Sequence, residues 1–282
     1  MDSELNPEEI LNSSLGVLYD YQPITLASSG STFTYVLNTK NHPNAPSLTV
    51  TLRIPDTDAA NWSLHASSIW ASSQYLVDHL DDLHLQSHHV HATNSQGKVR
   101  LLELGAGAGL PGITIAKLHP DILVTVSDYP DEQLIRTLSR NIEINRVDSN
   151  CCARAYAWGS NPEVLFSFPD TNQDTSLFDV IIATDTLWNP DLHGLFIESL
   201  EKTLRKAPGS RAHLIAGLHT GRYTLQSFLD SISRAGLTIE FLEERECSGE
   251  EKRAWDVSRA ESEDEKERRK WLLKIVLKWD MV

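Results

Sequence analysis

Residues 101–112 read LLELGAGAGLPG, an apolar run followed by Gly105, Gly107, Gly109 and Gly112. A short continuous apolar run reads as a strand buried on both faces. The glycines after it permit a tight turn and a close approach of backbone to a ligand. Pro111 suits the first turn of a helix, where its missing N–H would have had no partner. Strand, glycine turn and helix N-terminus together aim backbone N–H groups at one point. Gly107, Gly109 and Gly112 match G-x-G-x-x-G, but glycine turns also serve plain packing, so the surrounding residues must decide.

They favour a ligand. ILVTVSD (122–128) reads as the next strand, and Asp128 ends it where a carboxylate meets a ribose hydroxyl pair. An adenosine-containing cofactor is expected. Glu103 lies two residues before the first glycine, where a carboxylate would attract a cationic amino-acid moiety and repel a pyrophosphate. The sequence ends in two strands joined by a long charged stretch, unlike two repeated mononucleotide-binding halves. Both features select S-adenosylmethionine over NAD.

Working outward, the periodicity predicts a helix over 111–118 and another over 131–145, with Leu134, Ile135, Leu138, Ile142 and Ile144 as its apolar side. Strands follow at 152–158 and 178–185, then a helix over 192–206 stopped by Pro208 and Gly209. A strand at 211–217, a helix over 223–236 and strands at 236–244 and 271–279 complete the pattern. The charged stretch before the last strand reads as a solvated loop or short helix. This alternation predicts an α/β fold with a Rossmann-like, mostly parallel sheet whose last strand is antiparallel.

The N-terminal part differs. TFTYVLN (32–38) and SLTVTLRI (47–54) suggest a β-hairpin around the turn-rich TKNHPNAP, and 63–83 reads as one amphipathic helix. The expected division is an N-terminal extension, 1–92, packed on a core, 93–282. His84, His88, His89 and His91 crowd the linker between them, but no carboxylate or cysteine pattern accompanies them, and no metal is expected.

Composition narrows the partners. Of 282 residues, 40% are hydrophobic and 23% charged, as in ordinary globular proteins. No apolar run approaches the roughly 20 residues that cross a bilayer, so no membrane partner is expected. The N-terminal MDSELNPEEI resembles neither a secretory signal nor an Arg-rich transit peptide. Cys151, Cys152 and Cys247 read as thiols of a reducing compartment, the cytoplasm and also the nucleus. A net charge of −14 argues against nucleic acid and suits a basic peptide or cationic small molecule, although acidity also serves solubility alone. Nothing in the sequence speaks to oligomeric state.

The chain resembles a seven-stranded class I methyltransferase of the family that groups protein-lysine methyltransferases with fungal nicotinamide N-methyltransferase-like proteins. NWSLHASSIWASSQYL (61–76), LLELGAGAGLPGI (101–113), SDYPD (127–131), AWG (157–159), TDTLW (184–188), AGLHTGR (216–222) and KWLLKIVL (270–277) carry it, over roughly residues 20 to 280. The resemblance implies that Gly105, Ala106 and Gly107 line the methionine and ribose portion of S-adenosylmethionine, and that Asp128 binds the ribose. It implies that Trp158 packs on the adenine, that Trp70 closes the cofactor pocket and that Thr184 contacts it. Asp185 begins the family's acid-x-x-aromatic motif beside the transfer site and is the expected catalytic residue. Here the aromatic is Trp188, where Tyr or Phe is usual in lysine-modifying members. A helix cap is the alternative role for Asp185. His219 follows a strand on the ligand side of the sheet and, with Trp188, is an expected substrate contact. The expected reaction is N-methylation of a protein lysine or N-terminal amine. A nicotinamide-like small amine, or a catalytically silent partner-binding role, is the alternative.

Overall fold

The structure, a computed structural model, describes residues 24–37, 48–57, 59–88, 98–168 and 177–280. The turn at 39–46, His89 and His91 lie outside them. The expected hairpin forms from β1 (Thr32–Val36) and β2 (Thr49–Arg53), an antiparallel pair separate from the main sheet. The parallel part of the main sheet contains β3 (Arg100–Leu104), β4 (Leu123–Asp128), β5 (Cys151–Ala155), β6 (Val180–Thr184) and β7 (Arg211–Gly217). β8 (Leu237–Glu246), β9 (Lys252–Ala254) and β10 (Trp271–Trp279) complete it in the order β5-β4-β3-β6-β7-β10-β8-β9. β10 runs antiparallel to both β7 and β8, which bears out the reversed last strand.

Helices cover both faces. α1 (Ala71–Asp78), α2 (Leu110–Leu118) and α3 (Glu132–Asn145) lie with the hairpin over one face, where Leu101, Val124 and Ile182 meet Leu76, Ile113 and Leu138 in one core. Over the other lie α4 (Glu163–Phe166), α5 (His193–Thr203) and α6 (Arg222–Ile232), enclosing Leu102, Leu104, Phe196, Phe228 and Ile275. A short α7 (Glu265–Arg268) precedes β10. Successive β3 side chains alternate between the two cores, as strand geometry requires.

Four expectations need correction. The single helix over 63–83 is broken into a 3-10 turn at Ala59–Leu64, extended backbone at Trp70 (φ −88°, ψ 149°), α1, and a 3-10 turn at Leu80–Leu83. The backbone around Trp70 is claimed by a bridge to Thr25, in which Leu26 N–H donates to Ile69 O at 2.8 Å and Ala71 N–H to Ile24 O at 2.9 Å. The helix over 192–206 ends at Thr203, because Leu204 pairs with Phe178.

On α3, Ile144 is 42% exposed, while Asn141 and Asn145 are buried in its place. Their amides bond the backbone of β2: Arg53 N–H donates to Asn141 at 2.8 Å, and Asn145 donates to Thr51 O at 2.7 Å. An i, i+4 asparagine pair thus satisfies an edge that would otherwise need a strand.

The stretch expected to be solvated adds an eighth strand, β9, and closes a buried ion cluster. Arg222 is fully buried and donates to Glu244 at 2.6 Å and Glu263 at 2.8 Å, and Arg253 donates to Glu244 at 2.7 Å. Charges that look solvated along the chain neutralise one another across it.

Candidate active site

β3, β4 and β6 end at one edge of the sheet. The chain goes from β3 to β4 on one side and returns through β6 on the other, the switch point at which open α/β sheets bind ligands. A cavity of about 400 Å³ opens there.

One half of it is made by the glycine turn. Gly107 has φ +55°, a left-handed conformation, and its N–H donates to Asp128 Oδ2 at 2.6 Å. A Cβ on Gly107 would meet only Ala66 O, at 3.7 Å, so the backbone stands open to the cavity. Asp128 Oδ1 accepts from Tyr129 N–H at 2.7 Å. Burial pushes the Asp128 carboxyl up to about 6, with the two N–H bonds opposing that rise and the charge of Asp131 adding to it. Trp158 lines the same half, its ring held edge-on by Phe196 with centroids 5.0 Å apart.

The other half is assembled from distant segments. Asp185, just past β6, has φ +52°. Its Oδ2 accepts from the Ser72 hydroxyl and its Oδ1 from Gly217 N–H at 2.6 Å. Next to it, Thr184 Oγ1 and Ser73 Oγ are 2.8 Å apart. The Asp185 side chain caps no helix, which removes that alternative: Asn189 caps the following turn. Trp70 donates through Nε1 to His65 O at 2.9 Å. His65 itself has φ +54° and sets its ring edge-on to Trp188, with centroids 4.9 Å apart.

The structure therefore brings Trp70, Gly105, Ala106, Gly107, Asp128, Trp158, Thr184, Asp185 and Trp188 to one cavity. Two expected residues do not line it. Glu103 is 1% exposed and faces α2, accepting from Gly112 N–H at 2.9 Å. It shares the β3 face of Leu101, which the helix covers, and so cannot meet a cationic moiety directly. Burial, more than the charge of Asp128 and against the Gly112 bond, pushes its carboxyl up to about 8. A Cβ on Gly112 would lie 2.6 Å from Glu103 Oε2, so this last glycine of the motif serves helix–sheet packing. His219 stacks on Trp70 (5.3 Å, 10°), behind the cavity wall rather than on it.

Sequence reasoning missed His65, Ser72, Ser73, Tyr129 and Tyr156 as site residues. Three of them lie inside the quoted stretch 61–76, where helical periodicity was the dominant signal. His84 and His88 border a separate cavity with His213. Among the described residues, no three His, Cys, Asp or Glu side chains group as a metal site.

The profile of a family described as lysine methyltransferase matches residues 50–235. The chain belongs to this family. The protein N-terminal and lysine N-methyltransferase efm7 of Schizosaccharomyces pombe is 29% identical over 207 residues, covering 72% of this chain and 75% of the relative. Its namesake in Neurospora crassa is 28% identical, covering 54% and 53%. The protein-lysine N-methyltransferase EFM2 of Saccharomyces cerevisiae is 26% identical, covering 72% and 48%. The match thus spans about half the length of the last two. Among solved structures, the glycopeptide N-methyltransferase MtfA complexed with sinefungin has a TM-score of 0.45 and 10% identity, covering 69% of this chain and 86% of that one. No helix of the described residues is long and apolar enough to cross a membrane.

Proposed function

We propose that this methyltransferase-family protein transfers a methyl group from S-adenosylmethionine to an amine of a protein, a lysine side chain or an N-terminal amine. One observation carries the reading: among the described residues, the cavity is lined by two carboxylates, Asp128 and Asp185, and by no lysine or arginine. Such a lining suits a cation and offers a pyrophosphate only negative side-chain charge. The discrimination against NAD that Glu103 was expected to make rests instead on this lining.

The residues present fit the cofactor. The open backbone at Gly107 admits close approach, Asp128 has lone pairs left for a ribose diol, and Trp158, Tyr129 and Tyr156 offer ring faces or edges. S-adenosylmethionine, when bound, supplies an electrophilic methyl group on a sulfonium. The protein's part is to hold acceptor and donor in line and to exclude water. Asp185 faces the acceptor amine and favours the positive charge that grows on it, and Trp188 and His65 wall that side with rings. The amine must reach the site neutral, which burial among rings promotes. Three free cysteines, two of them buried, support placement in a reducing compartment, the cytoplasm or nucleus.

The test is incubation of purified protein with labelled S-adenosylmethionine and a fungal cell extract, followed by separation of protein from small molecules. Label in protein, mapped to lysine or the α-amine by mass spectrometry, is expected. Label confined to small molecules overturns the acceptor assignment, and no label anywhere overturns the transferase reading. The pH profile sharpens the acceptor: rate rises towards a plateau near pH ~8 for an α-amine and keeps rising towards ~10 for lysine.

A further inference from the structure

The Asp185 carboxylate is aimed by a segment that precedes the whole sheet. Ser72, in the first turn of α1, is completely buried and donates to Asp185 Oδ2. The next residue, Ser73, meets Thr184 at 2.8 Å. Two consecutive serines thus latch onto two consecutive residues at the end of β6, more than a hundred positions away in sequence. On the opposite side, Gly217 N–H holds Oδ1 at 2.6 Å, and the backbone N–H of Asp185 donates to Ile215 O at 2.8 Å. A Cβ on Gly217 would collide with the ring of His219 and lie 3.0 Å from Asp185 Oδ1, so carboxylate and imidazole share the same bare stretch of backbone.

Asp185 has φ +52°, which Asp tolerates better than most residues but which still costs free energy. Backbone held in such a region persists where its surroundings over-determine it, and here four hydrogen bonds do so, two of them from the serine latch. The carboxylate has lone pairs to spare after accepting from Ser72 and Gly217, and it lines the cavity. A capping role, which would leave it indifferent to Ser72, is absent.

We propose that Ser72 is a positioning residue of the acceptor site: its buried hydroxyl, opposite Gly217 N–H, fixes the Asp185 carboxylate towards the incoming amine. This rests on the reading of Asp185 as the acceptor-facing acid given above. It makes α1 a working part of the transfer site, beyond the wall that Trp70 contributes to the cavity.

A double-mutant cycle of Ser72→Ala and Asp185→Asn in the full-length protein tests it, with kcat, acceptor KM and S-adenosylhomocysteine affinity measured for each form. Ser72→Ala removes a hydrogen bond to a charged group, and kcat is expected to fall about tenfold while cofactor affinity stays within about twofold. In the Asp185→Asn background the same change should cost almost nothing in kcat, because no carboxylate is left for Ser72 to aim. Ser72→Cys, near in size but a weak donor, should fall between Ser and Ala and stands in if Ala fails to fold. Independent, multiplicative losses in the double variant overturn the proposal: Ser72 then acts on packing alone. If Asp185→Asn keeps full kcat, the acceptor-site reading of Asp185 fails, and this proposal with it. If Asp185→Asn loses activity and Ser72→Ala and Ser72→Cys do not, only this proposal fails.

Discussion

The two halves of the cavity are built in different ways. The cofactor half is built mainly from one run of sequence, 101–128, in which strand, glycine turn, helix and next strand follow without interruption and Gly107 bonds Asp128, with Trp158 added after β5. The acceptor half is joined from segments around 65–73, 184–188 and 217–219, each held by hydrogen bonds or ring contacts to another. A contiguous site depends on local backbone geometry, whereas an assembled one depends on everything that keeps its pieces in register. Damage far from the cavity should therefore reach the acceptor half first.

Arg222 offers the severest break. It directly follows the 217–221 turn, and its guanidinium joins Glu244 and Glu263 in the interior. Burial alone would raise both acids, but the hydrogen bonds from Arg222 and Arg253 hold them below the ordinary glutamate value. Arg222→Met leaves two buried carboxylates short of a partner and is expected to cost about 3 kcal/mol of stability, read by urea unfolding. In the folded fraction, acceptor KM and kcat should deteriorate before cofactor affinity does. Equal losses in both halves would erase the contrast.

Gly107→Val strikes the contiguous half alone. The residue would have to adopt φ +55° with a branched side chain and project into the cavity. Cofactor affinity measured by calorimetry is expected to fall at least about a hundredfold, with roughly 1–2 kcal/mol lost in stability. Normal affinity would make the turn a packing device only.

The same contrast explains what was legible. Periodicity and turn residues located β3, β4, β7, β10, α2 and α3 because their signals are local. Asp128 was readable for the same reason. The acceptor half was reached only through resemblance, because nothing in the spacing of Ser72 and Asp185 announces that they touch. Arg222 and the charges of 244–263 were invisible as a core, since a paired charge and a solvated one look alike in sequence. Asp185→Asn tests the part that resemblance supplied. Methyl transfer should drop about tenfold, or roughly 1.4 kcal/mol of transition-state stabilisation, with cofactor affinity little changed. A wild-type rate on the true acceptor would reduce Asp185 to a structural latch.

Glu103 belongs to neither half, and its expected effect is the smallest. It sits beneath the glycine turn with Oε2 on Gly112 N–H and with no partner for Oε1 among the described residues, and its carboxyl is raised by burial to about 8 from an ordinary 4.5. A raised carboxyl binds its proton more tightly in the folded state, so its contribution is complete below pH ~4.5 and is lost as pH climbs through about 8. Asp128, raised to about 6, loses its own contribution between about 3.8 and 6, so the decline that remains above about pH 6.5 belongs to Glu103. Stability followed by urea unfolding should therefore fall between pH 6.5 and 8.5 in the wild type. Glu103→Gln keeps an acceptor for Gly112 and carries no ionisable group; at pH 6 it should differ from wild type by about 1 kcal/mol or less. Its decline above pH 6.5 should be shallower, so that the two curves approach or cross. Parallel curves would mean that Glu103 is already ionised in the folded protein. The cofactor half would then contain a buried negative charge, and discrimination between a sulfonium and a pyrophosphate would return to β3 from the cavity lining.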